Sequence, residues 1–390
     1  MIEKTLLLVD DEEDVRDILW IPLTDMGYTV YTAENGKEAL EIFRTKKPAI
    51  VITDIKMPGM DGVELLKRAH KLYPDLTVVM MTAYASVETA VEALKKGARD
   101  YLTKPLDVDE LKLIIARVLD HSRLQSENRE LRTRLREEFS FGSLVSASAG
   151  MKDVIETLRR VAPTDATLLI LGESGTGKEL VANAVHENSL RAQGPFTAVN
   201  CAAIPENLLE SELCGYEKGA FTGAVSRKEG RIASAHGGTL FLDEIAEMHQ
   251  GLQAKLLRFL ESGEYQPLGT VDARHANVRL VAATNCRMLG AVEAGTFRHD
   301  LYFRLSVVPL EMPPLRNRTG DFAQLLKVLS KKLSKEHELQ APRYTAAAMR
   351  WMEKYSWPGN IRELRNFIER MMILFNGGEV DVSNLPVEMK

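Results

Sequence analysis

The sequence predicts an α/β protein made of two successive parallel-sheet units and a small C-terminal helical subdomain. Three observations predict it. Between Thr5 and about Leu119, short β-type runs alternate with segments of helical period, the pattern of a doubly wound parallel sheet. A glycine- and serine-containing patch, FSFGSLVSASAGM, separates that region from a second α/β stretch reaching about Pro314. Beyond it, GDFAQLLKVLSKKLSKEH, TAAAMRWMEKY and NIRELRNFIERMMILF have helical period, with no strands expected between them.

Length and composition agree with this plan. A chain of 390 residues accommodates two or three domains, and 45% hydrophobic with 27% charged residues excludes disorder and a disulfide scaffold. The net charge of -5 gives no global reason to bind DNA or an anionic membrane, so any nucleic-acid site must be local. Cys201, Cys214 and Cys286 are odd in number and form no CxxC pair, which reads as reduced thiols of a cytoplasmic protein. The apolar run in MIEKTLLLVDDEEDV is too short for a signal peptide or a membrane span.

In the first unit the strands are TLLLV, YTVYTA, AIVIT, TVVMMT and DYLT, with helices such as DVRDILWIPLTDM and VETAVEALKKG between them. Function in a parallel sheet gathers at the carboxyl ends of strands, and here those ends carry Asp10, Asp11, Asp54, Thr82 and Lys104. Three carboxylates make an oxygen-rich nest for Mg²⁺, Lys104 adds a point positive charge, and Thr82 offers a hydroxyl to an incoming phosphoryl oxygen. Next, Ile114, His121, Asn128 and Leu135 fall at one heptad position, with Leu124 and Leu131 at the other. Arg117 and His121 limit this coiled-coil seam to a short one, and Asn128 is the residue type that favours a parallel pair in fixed register. A single amphipathic linker helix is the alternative.

The second unit opens on LLILGESGTGKEL, an apolar strand running directly into a glycine-rich loop and a helix. Gly172, Gly175 and Gly177 let the backbone of the Gly172–Glu179 loop, with Glu173, Ser174 and Thr176, wrap closely around phosphates, and Lys178 reaches them with its charge. Glu179 stands where Ser or Thr usually coordinates Mg²⁺, so the metal relies more on Asp243 of GGTLFLDEI and on water, with Glu244 placed to polarise the attacking water. Asn285 ends a further strand, VRLVAATN, where it meets the γ-phosphate. Arg298 and Arg304 of FRHDLYFRL suit arginine fingers for a neighbouring subunit, and Arg362 of WPGNIRELRN approaches the nucleotide from the helical subdomain.

The first unit resembles, over essentially all of Thr5 to Leu119, the receiver domain of two-component response regulators; DIKMPGMDG after the aspartate and the KP dipeptide both match. The resemblance implies a flavodoxin-like sheet, Asp54 as phosphoacceptor, Asp10 and Asp11 as further metal ligands, and Thr82, Tyr101 and Lys104 as switch residues. The second unit resembles an AAA+ P-loop ATPase with a helical lid. GAFTGA, combined with GESGTGKE, LFLDEI and WPGNIRELRN, is similar to one branch of that superfamily, the NtrC-like activators of sigma-54 RNA polymerase.

That likeness implies domains at 1–120 (receiver), 121–140 (coiled-coil linker helix), 141–314 (AAA+ α/β subdomain) and 315–390 (lid). It implies ATP and Mg²⁺ as cofactors, a sensor histidine kinase and sigma-54 RNA polymerase as partners, and remodelling of the polymerase by ATP hydrolysis in a ring. An inactive dimer and an active hexamer or heptamer are the expected states. The loop Gly219, Ala220, Phe221, Thr222, Gly223, Ala224 would dock on sigma-54, since an exposed aromatic among small residues costs solvation unless it meets a partner. Glu264 to Val278 would be a second partner-facing hairpin, and Asn200 would restrain Glu244 until the loop engages. Two departures stand out: His299 replaces a glutamate usual between the two fingers, and no helix-turn-helix follows VDVSNLPVEMK, so DNA binding is not expected from this chain as it stands. An AAA+ remodelling ATPase of another class under receiver control, which needs no GAFTGA, is the alternative; a phospho-switched dimerisation module with a vestigial ATP site is a second.

Overall fold

Three nearly uninterrupted apolar runs, TLLLV, IVITD and TVVMMT, are buried along their whole length, as strands covered on both faces must be. In the computed structural model residues 5–73, 76–82, 96–142 and 144–387 are described, and between residues 121 and 138 only the side chains of Arg123, Leu124, Glu127 and Thr133 are. The first unit holds β1 (Thr5–Val9), β2 (Thr29–Ala33), β3 (Ile50–Asp54), β4 (Thr77–Thr82) and β5 (Asp100–Thr103), all parallel in the order β2-β1-β3-β4-β5. Leu6 and Leu8 pack with Leu19, Leu23 and Ile115 on one face, while Leu7 and Val9 pack with Phe43 and Leu66 on the other. Strand order reverses between β1 and β3, opening a crevice at their carboxyl ends.

Local chemistry starts the helices around that crevice. Asn35 caps the helix Gly36–Lys46 by accepting from the Lys37 and Glu38 N–H groups at 3.1 Å. Asp61 caps Gly62–Leu72 through Glu64 N–H at 2.7 Å. Gly62 has to be glycine, because a Cβ there would lie 2.1 Å from the carbonyl oxygen of Asp54.

One expectation for this region changes. The helix Val108–Glu138 is continuous over 31 residues, but Ile114, the first expected seam position, is 4% exposed and buried with Leu6, Leu8 and Leu111 in the core of the first unit. The burial follows from the helix packing on the sheet before it can face a partner, and only Leu124, exposed, remains of the seam among described side chains. His121, Asn128, Leu131 and Leu135 have side chains outside the described residues, as does the expected helix VETAVEALKKG up to residue 95.

By its contacts the chain divides into units Met1–Arg132 and Thr133–Lys390. The second unit contains β6 (Leu168–Leu171), β7 (Phe196–Asn200), the short pair β8 (Gly215–Tyr216) and β9 (Lys228–Glu229), β10 (Thr239–Asp243), the hairpin pair β11 (Glu264–Tyr265) and β12 (Arg274–His275), β13 (Arg279–Thr284) and β14 (Val308–Glu311). Its main sheet is parallel, in the order β14-β6-β13-β10-β7. Leu169, Leu240 and Leu242 face one core and Leu168, Ile170 and Phe241 the other.

Helices Asp321–His337, Ala346–Lys354 and Asn360–Phe375 form the C-terminal subdomain around buried Trp357, Leu364 and Ile368. Contrary to the strand-free expectation, β15 (Arg343–Tyr344) pairs with β16 (Glu379–Val380) in parallel. Two-residue ladders are too short to leave a period in sequence.

Candidate functional site

Asp10 and Asp11 follow β1 and Asp54 ends β3, so their carboxylates converge at the crevice, with ligand oxygens within 4.8 Å of one another. Lys104, beyond β5, donates from Nζ to Asp54 Oδ2 at 2.7 Å and pairs with Asp10 Oδ2 at 2.9 Å. Burial raises the pKa of Asp10, with Lys104 opposing it. Burial also works against the Lys104 ammonium, but the hydrogen bonds to Asp54 and Asp10 outweigh it and push its pKa up. Three carboxylates, hard oxygen donors, fit Mg²⁺, and the ammonium touches the oxygens such an ion would use. Thr82 is buried at the end of β4, its carbonyl accepting from Lys104 N–H at 2.8 Å, and Tyr101 is half-buried on β5.

In the second unit the loop after β6 carries three glycines in positive φ: Gly172 at 152°, Gly175 at 76° and Gly177 at 96°. Lys178, buried at the start of helix Lys178–Glu187, donates to Gly172 O at 2.9 Å and lies 3.6 Å from Glu244 Oε1. Glu179, next on the helix, is exposed. Asp243 ends β10 with Oδ1 buried and without a hydrogen-bond partner, an orphaned acceptor of the kind a cation satisfies. Burial raises its pKa, and Glu244 adds to the rise.

The expected Asn200–Glu244 contact is not made. Strand register sets Asn200 beside Asp243, and Asn200 Nδ2 donates to Asp243 Oδ2 at 3.2 Å. Glu244 leaves the strand at a φ of 51° and turns to Asn285, accepting its N–H at 3.0 Å.

The lid segment grips the glycine-rich loop at every residue from Glu173 to Thr176. Arg316 holds Glu173 bidentately at 2.6 and 2.8 Å; Asn360 Nδ2 reaches Glu173 Oε2 at 3.1 Å and Ser174 O at 3.0 Å. Arg362 Nη1 donates to Ser174 Oγ at 2.8 Å, Ile361 N–H to Gly175 O at 2.9 Å, and Arg318 Nη2 to Thr176 O at 2.8 Å. A Cβ on Gly175 would lie 2.3 Å from Gly359 O, so the backbones approach this closely because residue 175 is glycine. The sequence marks Arg316 and Arg318 only by the two arginines of PPLRNR, and Asn360 only by its place in WPGNIRELRN.

Arg298 precedes the helix His299–Leu305 and Arg304 lies in its last turn; both are exposed. Arg298 forks onto Asp300 at 2.7 and 3.1 Å, and Arg304 Nη2 donates to Leu260 O at 2.8 Å. Neither is hydrogen-bonded to the glycine-rich loop among the described residues. His299 stacks edge-on against Phe303.

The GAFTGA segment lies between β8 and β9. Gly219 N–H bonds to Ala224 O at 2.9 Å, closing the loop on itself. Phe221 is 42% exposed, its ring edge-on to Tyr216 with centroids 5.0 Å apart; Thr222 is exposed and Ala224 buried. The second hairpin braces this loop: Glu217 N–H donates to Leu268 O and Leu268 N–H to Gly215 O, both at 2.9 Å, and Arg274 pairs with Glu217.

A flavodoxin-like sheet with an acidic crevice, followed by a P-loop sheet, a helical lid and two braced loops, defines a receiver-coupled AAA+ ATPase. Family models agree: a response regulator receiver domain matches residues 6–116, a sigma-54 interaction domain 144–311, and an AAA+ ATPase lid domain 316–390. The chain belongs to the NtrC-type sigma-54-dependent response regulators, and its activity is ATP hydrolysis coupled to phosphorylation-controlled activation of sigma-54 transcription.

Regulatory protein AtoC of Escherichia coli (strain K12) is 45% identical over 385 residues, covering 99% of this chain and 84% of the relative. DNA-binding transcriptional regulator NtrC of the same strain is 41% identical over 386 residues, 98% of this chain and 81% of the relative. Among solved structures, NtrX from Brucella abortus in complex with ATP superposes with a TM-score of 0.71 at 38% identity, covering 99% of this chain and 84% of that one. Nucleotide binding and, as partners, sigma-54 polymerase and a cognate kinase follow from this membership. Among the described residues no helix is long and apolar enough to cross a membrane.

Proposed function

We propose that Asp54 receives the phosphoryl group, with Asp10, Asp11 and Asp54 holding Mg²⁺ and Thr82, Tyr101 and Lys104 reading the phosphate. In the second unit the backbone of Gly172–Gly177 and the Lys178 ammonium hold the phosphates of ATP, while Asp243 holds Mg²⁺ together with water. Mg²⁺ supplies charge neutralisation on phosphoryl oxygens. Glu244 polarises the attacking water, Asn285 senses or orients the γ-phosphate, Asn200 holds Asp243 of that acid pair, and Arg362 contacts the nucleotide from the lid. Gly219–Ala224 contacts sigma-54, led by Phe221 and Thr222. The chain works in the cytoplasm, as an inactive dimer paired through Leu124, Asn128, Leu131 and Leu135 and as an active hexamer or heptamer ring.

One observation supports the ring: the exposed Arg298 and Arg304 bond to Asp300 and Leu260 and, among the described residues, neither is hydrogen-bonded to the P-loop of its own chain. Phosphoryl transfer gains several orders of magnitude from such an arginine. Replacing Arg298 or Arg304 by Ala therefore abolishes turnover with nucleotide binding kept, and mixing either variant with Lys178→Ala restores part of the activity. Full activity in both arginine variants would refute the shared site. Light scattering with beryllofluoride tests the assembly: the dimer converts to a larger ring, whereas a monomer without the mimic, or a ring regardless of it, overturns the switch.

A further inference from the structure

A P-loop works by aiming backbone N–H groups at phosphates, so a carboxylate carried on the same loop opposes a polyanionic ligand. Glu173 is such a carboxylate, and its two oxygens are turned to the lid: Oε1 takes Arg316 Nη2 at 2.6 Å, and Oε2 takes Arg316 Nη1 at 2.8 Å and Asn360 Nδ2 at 3.1 Å. Asn360 is itself held rigidly, fully buried, with a φ of 53° and Oδ1 accepting Leu315 N–H at 2.8 Å. Arg316 precedes the first lid helix and Asn360 begins the last one, so two separate parts of the lid converge on one side chain.

We propose that Glu173 is a positioning residue that ties the lid to the phosphate cradle, and that Arg316 neutralises its carboxylate so that ATP meets no free anion there. The proposal rests on the reading of Gly172–Lys178 as that cradle. Arg316, and after it Asn360, pulls the pKa of Glu173 down to about 2, in keeping with the two hydrogen-bonding partners on its carboxylate. The pair is half-exposed, which leaves it exchangeable: a shift of the loop on nucleotide binding or release passes to the lid through Glu173, alongside the Ser174, Gly175 and Thr176 contacts.

The test is a double-mutant cycle in the full chain, read by titration with the fluorescent analogue mant-ATP and by steady-state ATPase kinetics. Arg316→Ala uncovers the carboxylate and weakens mant-ATP binding about tenfold, equivalent to ~1.4 kcal/mol. Glu173→Gln binds mant-ATP at least as tightly as the parent but loses kcat with KM unchanged, because the lid is no longer tied. The double variant matches Glu173→Gln in affinity, since nothing is left for Arg316 to neutralise.

A merely structural arginine behaves otherwise. Its loss would persist with Glu173 already replaced, and that result overturns the proposal, as does unchanged affinity in Arg316→Ala. If Arg316→Ala fails to fold, Arg316→Gln alone and with Glu173→Gln makes the same comparison. Lys178→Ala, run in parallel, loses mant-ATP binding; retained binding there would refute the cradle reading itself and not the tether.

Discussion

Replacing Lys104 by Met keeps the aliphatic stem and deletes the ammonium that Asp54 and Asp10 share at 2.7 and 2.9 Å. Those two side chains are 10% and 0% exposed, and Asp11 lies in the same cluster, so the variant concentrates negative charge that water reaches poorly. Removing one partner of a buried ion pair costs about 3–5 kcal/mol. Lys104 is 14% exposed, and some water relieves the acids, so ~2–4 kcal/mol is expected for the first unit. The same charge makes the cluster a better Mg²⁺ site, and an ion at a hundred times its Kd returns ~2.7 kcal/mol. Hydrogen exchange of the β1 and β3 amides in the full chain, in EDTA and then in saturating Mg²⁺, measures both numbers. The variant should exchange faster than the parent in EDTA and regain most of the difference in Mg²⁺. Equal exchange in EDTA, or a deficit that Mg²⁺ leaves untouched, would refute the assignment of Lys104 as the counter-ion of a cation site.

Three further outcomes are expected. His186 is buried against Thr239, and burial, with the Arg279 charge adding to it and a Gly194 backbone hydrogen bond opposing, lowers its pKa to about 4. The unfolded chain therefore takes up this proton first: the stability is present above about pH 6.5 and is lost toward pH 4 at ~1.4 kcal/mol per unit, and His186→Gln should flatten that acid slope in melts of the second unit. Asp321 is fully buried and accepts Ser148 N–H at 2.7 Å and Ser148 Oγ–H at 2.9 Å, so Asp321→Asn should lose ~1–3 kcal/mol, seen as a lower thermal midpoint; an unchanged midpoint contradicts a stabilising role for these two bonds. Thr222 is exposed at the loop tip, so Thr222→Ala should hydrolyse ATP and assemble normally yet fail to bind sigma-54 in a gel-shift assay, and loss of ATP binding instead would move the loop to the nucleotide site.

Residues whose role is set within a few positions of themselves were legible in the sequence. TLLLV, IVITD and TVVMMT declare buried parallel strands because both faces are covered, and the acids at their ends need only the chain reversal to converge. GESGTGKE reads directly as a phosphate-binding turn, since glycine at positive φ is a local demand. What stayed hidden depends on contacts across the chain. Ile114 fits a heptad as well as it fits a core, and periodicity does not reveal which surface arrives first. Asn200 meets Asp243 and not Glu244 because of a strand register and one left-handed residue, neither written in the motif. Arg316 and Asn360 lie 143 and 187 residues from Glu173, beyond the reach of any local pattern.

The brace between the two loops bears on how such proteins diversify. Gly269 stands so close to Ala220 that a Cβ there would meet it at 2.6 Å, and Arg274 answers the charge of Glu217. An exchange of the Gly215–Glu229 segment alone between relatives would carry Tyr216 and Glu217 away from the hairpin that fits them. The segments Gly215–Glu229 and Glu264–His275, distant in sequence, are therefore one structural unit. Chimaeras that transplant both should keep the loop's shape, where those that transplant one inherit a mismatch at the root.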